Sequence, residues 1–288
     1  MKIYLDGALV EKDKAVISVF DHGLLYGDGV FEGIRTYNGL VFRLKEHIER
    51  LYKSAGAIQL NIPITRSDMA DAVVITLRAN NLKDAYIRLV VTRGPGDLGL
   101  DPRKCKKPTI FIITDRITLY PKEFYQNGLK IVTAVTRRNL PQALDPRIKS
   151  LNYLNNILAK IDAIKYGVEE ALMLTSDGYV AECTGDNVFM VKAGNLFTPP
   201  VSVGALEGIT RAVVIDIARK TGITFSEKMI RPDDLYSADE VFLTGTAAEI
   251  IPVIMIDDKV IKGSKPGSIT LRLMEEFKKL TKVDGVRY

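Results

Sequence analysis

The chain has little of what several kinds of chemistry need. Two cysteines, Cys105 and Cys183, cannot build a disulfide framework, and two histidines, His22 and His47, offer no ligand spacing for zinc, so no metal site is expected. No apolar run approaches the roughly 20 residues a bilayer crossing needs, which argues against a membrane protein. The opening MKIYLDGALVEKDKAV is broken by acids and a turn where a secretory signal needs an uninterrupted apolar stretch, so a cytoplasmic location is expected. The net charge of +5 is spread thinly, with 40 basic residues interleaved among 35 acids, and the aromatics form no stacking series. Nucleic acid is therefore not an expected partner; attraction for small anions, phosphate or carboxylate, is.

What is present is a globular composition, 47% hydrophobic and 26% charged over 288 residues, long enough for two domains. Residues 3 to 19 begin as a hairpin, and Asn38-Gly39 between two strand-like runs is the strongest short hairpin signal. Leu44, Ile48, Leu51, Tyr52 and Ala55 recur at helical spacing, and Ser67 is placed as the cap of a second helix ending near Asn81. AYIRLVVTRG and PTIFIITDRI read as strands. The mixed stretch LYPKEFYQNGLKIV reads as the domain crossing, which gives a small first domain over 1–118, an interdomain segment over 119–132 and a larger second domain over 133–288. In the second half, a helix containing Lys149 ends at Gly167, another runs from about Thr210 to Lys220, and ITLRLMEEFKKL forms a last amphipathic helix.

GPGDLG, residues 94 to 99, has the glycine spacing of a dinucleotide-binding turn. That turn works by leading into a helix whose N-terminus holds a pyrophosphate, whereas LDPRKCKKP carries two prolines and no apolar period. A loop beside a site fits it better.

RIKSLNYLNN, residues 147 to 156, puts Lys149 in what reads as the first turn of a helix, the wrong end for a cation. A solvated lysine is the plain reading. A lysine that forms a Schiff base must be partly uncharged, through burial or a neighbouring cation such as Arg147. Three further stretches bear on it. Glu182 in GYVAECTGDNVF is either solvent-facing or opposed to a ring nitrogen. Gly208, Ile209 and Thr210 open a helix, as an ordinary cap or as a phosphate cradle. Thr244 to Ala248 form a tight turn whose N–H groups could meet a second anion. Amine, carboxylate and phosphate cradle together are what pyridoxal 5'-phosphate requires.

The ordered motifs YGDGVFEGIR, LKEHIERL, KSLNYL, GYVAECTGDNVF, LFTPP, GALEGITR and LTGTAAEI resemble the fold-type IV, class IV aminotransferases, and most the branched-chain amino acid aminotransferases, from about residue 3 to 280. The resemblance implies an α+β, two-domain fold with a small N-terminal α/β domain and a larger C-terminal pseudo-barrel. It also implies the cofactor pyridoxal 5'-phosphate, held on Lys149 as a Schiff base, with Glu182 on the ring nitrogen and Tyr153 on the phenolic oxygen. Tyr153 lies four residues after Lys149 and so, in a helix, on the same face. Arg50 matches the phosphate-binding arginine, which pattern alone would leave as a solvated helix residue. Gly208, Ile209, Thr210 and Thr246 complete the cradle.

For substrate, the resemblance assigns Tyr86 and Arg88 to carboxylates, and strand alternation does put these two on one face. Thr246 and Ala247 bring main-chain donors, while Tyr26, Phe31 and Gly33 wall an apolar pocket. The implied reaction moves the amino group of L-valine, L-leucine or L-isoleucine to 2-oxoglutarate, reversibly, in a homo-oligomer, a dimer or a trimer of dimers. Two sister activities stay open. D-amino acid aminotransferases share much of the pattern but place an arginine and a histidine in the loop after TRG, where this chain has Leu98 and Leu100. Aminodeoxychorismate lyases share the cofactor site, though FEGIR and YIR fit the branched-chain branch better. A cofactor-free binding protein on the same scaffold is the remaining reading, and it would not need Lys149 and Glu182.

Overall fold

The structure is a computed structural model that describes residues 1–117 and 119–288. It divides into two compact units. Unit 1 comprises Met1–Ile117, Ile148–Asn152 and Thr281–Tyr288; unit 2 comprises Thr118–Arg147 and Tyr153–Leu280. Thr118, where the sequence reading ends the first domain, lies outside the described residues. The stretch expected as a crossing between domains supplies a helix and a strand to unit 2 instead, and unit 1 takes back two later pieces of chain.

Unit 1 is a seven-stranded antiparallel sheet with helices on one face. Its elements are β1 (Lys2–Leu5), β2 (Ala8–Glu11), α1 (His22–Tyr26), β3 (Gly29–Tyr37), β4 (Leu40–Phe42), α2 (Leu44–Ala57), α3 (Arg66–Ala79), β5 (Ala85–Thr92) and β6 (Thr109–Asp115). The order across the sheet is a closing strand Gly285–Arg287, then β4, β3, β5, β6, β1 and β2. Asn38 and Gly39 both take positive φ, 46° and 77°, in the turn between β3 and β4, as the Asn-Gly pair requires. The cap of α3 is Thr65 rather than Ser67: the Thr65 hydroxyl accepts from the Asp68 N–H and the Asp68 carboxylate accepts from the Thr65 N–H. A reciprocal pair satisfies two end donors where a lone serine satisfies one.

The core of unit 1 follows the two periodicities. Val30, Ile34, Ile87, Leu89, Val91, Ile110 and Ile112 line one face of the sheet, and Leu44, Ile48, Leu51, Met69, Val73 and Leu77 cover it from the helices. The opposite face carries Phe31 and Gly33 of β3 with Tyr86 and Arg88 of β5. GPGDLG is followed only by a single turn, Pro102–Lys104, so no helix there could hold a pyrophosphate.

Unit 2 holds α4 (Lys122–Asn127), β7 (Leu129–Thr133), α5 (Leu154–Lys165), β8 (Glu170–Leu174), β9 (Val180–Cys183), β10 (Asn187–Lys192), β11 (Asn195–Thr198), α6 (Ile209–Lys220), β12 (Phe225–Glu227), α7 (Pro232–Tyr236), β13 (Glu240–Gly245), β14 (Glu249–Ile256), β15 (Lys259–Val260) and α8 (Ser268–Leu280). Its sheet runs β12-β11-β10-β13-β14-β7-β8-β9, with β15 on β14. β9 lies at one end of that path and β10 near the other, yet only residues 184–186 join them, so the sheet must curl back on itself. The fold is α+β. No helix among the described residues is long and apolar enough to cross a membrane.

Candidate active site

Lys149 is not in a helix. α5 begins at Leu154 with Tyr153 as its N-cap, so the helical-face relation between Lys149 and Tyr153 does not hold, and neither does the misplaced-charge puzzle. Lys149 lies in an irregular segment that makes a single antiparallel bridge, Ser150 to Val30, with β3. The Phe31 N–H donates to the Lys149 carbonyl at 3.0 Å, the Leu151 N–H donates to the Gly29 carbonyl at 2.9 Å, and the Lys149 N–H donates to Ser54 Oγ of α2 at 3.2 Å. The cause is local. β4 is short and meets β3 only at Thr36 and Tyr37, leaving the main-chain groups of residues 29–31 on that edge to be satisfied. The segment Ile148–Asn152 satisfies them, and it fixes the backbone under the lysine from both sides.

Half-buried, the Lys149 side chain has its Nζ 4.6 Å from the centre of the Phe31 ring. Arg88 Cζ is 4.2 Å from the same ring. One aromatic thus holds two cations, a contact worth about 0.5–2 kcal/mol each, depending on exposure. Gly33 stands opposite Arg88 in the β3–β5 register, and the Tyr86 phenol lies over it. Tyr26, exposed at the end of α1, accepts a hydrogen bond from the Gly99 N–H at 3.0 Å and so ties the GPGDLG loop to α1.

Arg50 is not a solvated residue. It is 10% exposed and grips Glu32, a carboxylate with no exposure at all, through Nε and Nη2, both at 2.7 Å. His47 Nδ1 reaches the same carboxylate at 2.7 Å. Burial works to raise the Glu32 pKa, but the Arg50 charge and the bonds from Arg50 and His47 outweigh it and bring it down to about 2. Burial pushes His47 below its ordinary value, with Glu32 pulling partly the other way.

In unit 2, Glu182 on β9 is buried among donors. Arg138 Nη2 meets Oε1 at 2.7 Å, while the Leu206 N–H and Asn187 Nδ2 donate to Oε2 at 2.9 and 3.2 Å. Arg138 is itself held, its Nε on the Gly204 carbonyl and its Nη1 on Asn156 Oδ1. Asn187 is fixed by donating also to the Leu206 carbonyl. It lies so close to Gly208 that a Cβ there would sit 2.1 Å from its oxygen. Gly208 is the N-cap of α6 and offers no side chain to the first turn, where Ile209 and buried Thr210 present main-chain N–H groups. Opposite Asn187 in the β10–β13 register, the Thr244 hydroxyl is buried with no hydrogen-bond partner among the described residues. Thr246 and Ala247 sit half-buried in the turn between β13 and β14.

The sequence reading missed Glu32, His47, Arg138 and Asn187. For Glu32 a signal existed: it stands between Val30 and Ile34 on the inward-facing set of its strand, where a carboxylate demands a partner. His47 and Arg50, three apart on α2, were the available partners. Arg138 and Asn187 gave no comparable signal, because neither occupies a position that a period marks as interior.

Residues 29–256 match the family model for class IV amino-transferases. A Methanocaldococcus jannaschii protein provisionally named a branched-chain-amino-acid aminotransferase is 55% identical over 287 residues, spanning 100% of this chain and 99% of that one. A Bacillus licheniformis protein named D-alanine aminotransferase is 37% identical over 276 residues, 94% of this chain and 93% of that one. Among solved structures, the branched-chain amino acid aminotransferase of the organism abbreviated T.th., with pyridoxamine 5'-phosphate, is 37% identical with a TM-score of 0.94, over 97% of this chain and 93% of that one. The same enzyme complexed with N-(5'-phosphopyridoxyl)-L-glutamate gives a TM-score of 0.92.

Proposed function

The chain belongs to the class IV aminotransferases, and from that premise we propose that it is a cytoplasmic, homo-oligomeric branched-chain amino acid aminotransferase. It exchanges the amino group of L-valine, L-leucine or L-isoleucine with 2-oxoglutarate, reversibly, using pyridoxal 5'-phosphate. The observation that carries the substrate reading is the face of the unit 1 sheet on which Phe31, Gly33, Tyr86 and Arg88 meet. Such a surface can serve two unlike substrates. A hydrocarbon side chain rests on the Phe31 ring and over Gly33 while Arg88 stays stacked on that ring; the distal carboxylate of glutamate takes the Arg88 fork.

The residues present fit the cofactor. The start of α6 carries no side-chain cap, a glycine lets the chain approach closely there, and a buried hydroxyl nearby lacks a partner among the described residues. Ile209, Thr210 and Thr246, with Arg50, would hold the phosphate. Bound there, pyridoxal phosphate supplies an aldehyde carbon to receive the amino group and a ring that accepts electrons from a breaking C–H bond. Glu182, fixed by Arg138, Asn187 and the Leu206 N–H, is the carboxylate for the ring nitrogen. Tyr153 serves the phenolic oxygen. Lys149 Nζ would hold the cofactor through its aldehyde carbon and would be the base for the donor's α-proton. Its clamped backbone limits the arc through which that nitrogen moves.

Identity alone does not separate this reading from a D-amino acid aminotransferase, since one relative so named is 37% identical. The loop does favour one side. Leu98 and Leu100, 64% and 82% exposed, stand where that activity is expected to need a basic clamp. Steady-state rates on L- and D-amino donors with 2-oxoglutarate test the reading, with the three branched L-donors expected to lead. A leading D-donor would replace it by the D-specific activity. Borohydride reduction of the purified chain should leave its label on Lys149; a label on Lys160 or another lysine removes the site assignment.

A further inference from the structure

Glu32 lies on the helix-covered side of β3 between Val30 and Ile34, and all three have no solvent exposure. An isolated ionised carboxylate is not stable in such a place, so its partners are part of why it is there. Arg50 provides two parallel bonds and His47 a third. Because an ionised carboxylate only accepts, the His47 Nδ1 must carry the hydrogen. Lys149 lies close by in the same unit, its N–H on Ser54 of α2, four residues beyond Arg50.

A guanidinium has its N–H donors in one plane and on fixed edges. Glu32 occupies the Nε/Nη2 edge of Arg50 and so fixes the direction of the edge that Nη1 and Nη2 form. Arginine otherwise gives up the rotamer freedom of a long side chain when it is ordered. Locking one edge on a buried acid meets that cost during folding rather than during binding. We infer that Glu32 and His47 are positioning residues that aim Arg50 at the phosphate of the cofactor. The inference rests on the cofactor reading above.

The charge balance makes the inference easy to test, because positioning and neutralisation have opposite signs. Glu32 cancels the charge of Arg50. If cancellation were its only effect, removing the carboxylate would strengthen phosphate binding; if Glu32 aims Arg50, removing it weakens phosphate binding. The experiment titrates the cofactor-free chain with pyridoxal 5'-phosphate and, separately, with pyridoxal, which lacks the phosphate, following absorbance. The unaltered chain should bind the phosphorylated compound more tightly. In Glu32→Gln that preference should fall by roughly tenfold or more, the scale seen when residues that orient a ligating group are removed, with pyridoxal binding unchanged.

A preference kept or strengthened in Glu32→Gln overturns the inference and leaves the cofactor reading intact. An unaltered chain with no preference for the phosphorylated compound removes the phosphate role of Arg50 and the inference with it. Equal loss for both compounds points to a structural role alone and also overturns it. Should Glu32→Gln fail to fold, His47→Leu decides, since it leaves the Glu32–Arg50 pair in place. It should lower the preference in part, and His47→Asn, which restores an N–H donor, should recover it. No change in His47→Leu overturns the inference.

Discussion

Gly33 and Tyr86 are matched so closely that a Cβ on Gly33 would sit 2.0 Å from the Tyr86 phenol oxygen. Gly33 does not have positive φ, so this close approach, rather than backbone strain, is what keeps the position a glycine. Gly33→Ala should therefore fold, with stability within about 1 kcal/mol of the parent, because the far end of a tyrosine can swing away. The displaced phenol is then lost to the substrate, and kcat/KM should fall by roughly tenfold to a hundredfold for all donors. Denaturant melts and steady-state rates together check this. Unchanged kinetics would mean that Tyr86 takes no part in binding.

Arg88 should separate the two substrates. Arg88→Leu keeps an apolar neighbour for Phe31 but removes the fork for a distal carboxylate. A charge-assisted hydrogen bond is worth about 1.5–3 kcal/mol, so KM for 2-oxoglutarate should rise roughly tenfold to a hundredfold. KM for leucine should change by less than about threefold. Half-reactions followed one substrate at a time report the split, and equal rises for both would assign the distal carboxylate to another residue.

The Arg138–Glu182 pair is buried on both sides, 7% and 6% exposed. Removing one partner strands the other. Arg138→Met should cost about 3–5 kcal/mol of stability, and adding Glu182→Gln should recover part of that loss, because a neutral amide costs less to bury than a lone charge. Unfolding free energies of the single and double variants measure it. A single variant within about 1 kcal/mol of the parent would show that the pair contributes nothing net.

Acid should unfold the protein in two stages. His47 has a folded pKa below its ordinary 6.5, since burial disfavours the imidazolium. The unfolded chain binds that proton first, so stability is whole above pH 6.5 and declines as pH falls below it. Glu32, about 2 when folded against an ordinary 4.5, contributes stability that is complete above 4.5 and lost as pH falls toward 2, on the order of 3 kcal/mol. Urea melts from pH 8 to 3 should show both declines. Glu32→Gln should lack the lower one, and a lower decline of undiminished size in that variant would assign it to other carboxylates.

Several parts of the molecule were legible in the sequence because they depend on neighbours along the chain. The Asn38-Gly39 hairpin, α2 with its stripe of Leu44, Ile48 and Leu51, the end of α6 at Lys220, and the shared face of Tyr86 and Arg88 all follow from local geometry. The ordered motifs from YGDGVFEGIR to LTGTAAEI named the family, and residues 29–256 match it. Other parts were misplaced for the same reason. Lys149 read as helical because LNYLNN after it has helical spacing, but the open edge of β3 takes that backbone first.

By itself, then, the sequence determined which elements form, which side chains share a face, and which set of reactive groups the chain carries. Spacing along a chain controls these, and spacing is what a sequence records. The tertiary structure alone decided that Lys149 is braced by β3 and α2, that Arg50 is locked by a buried acid eighteen positions earlier, and that Glu182 answers to Arg138. Those are pairings between residues well separated along the chain. They are chosen by what buried donors and acceptors must find once water has been excluded, a demand that exists only in the folded chain.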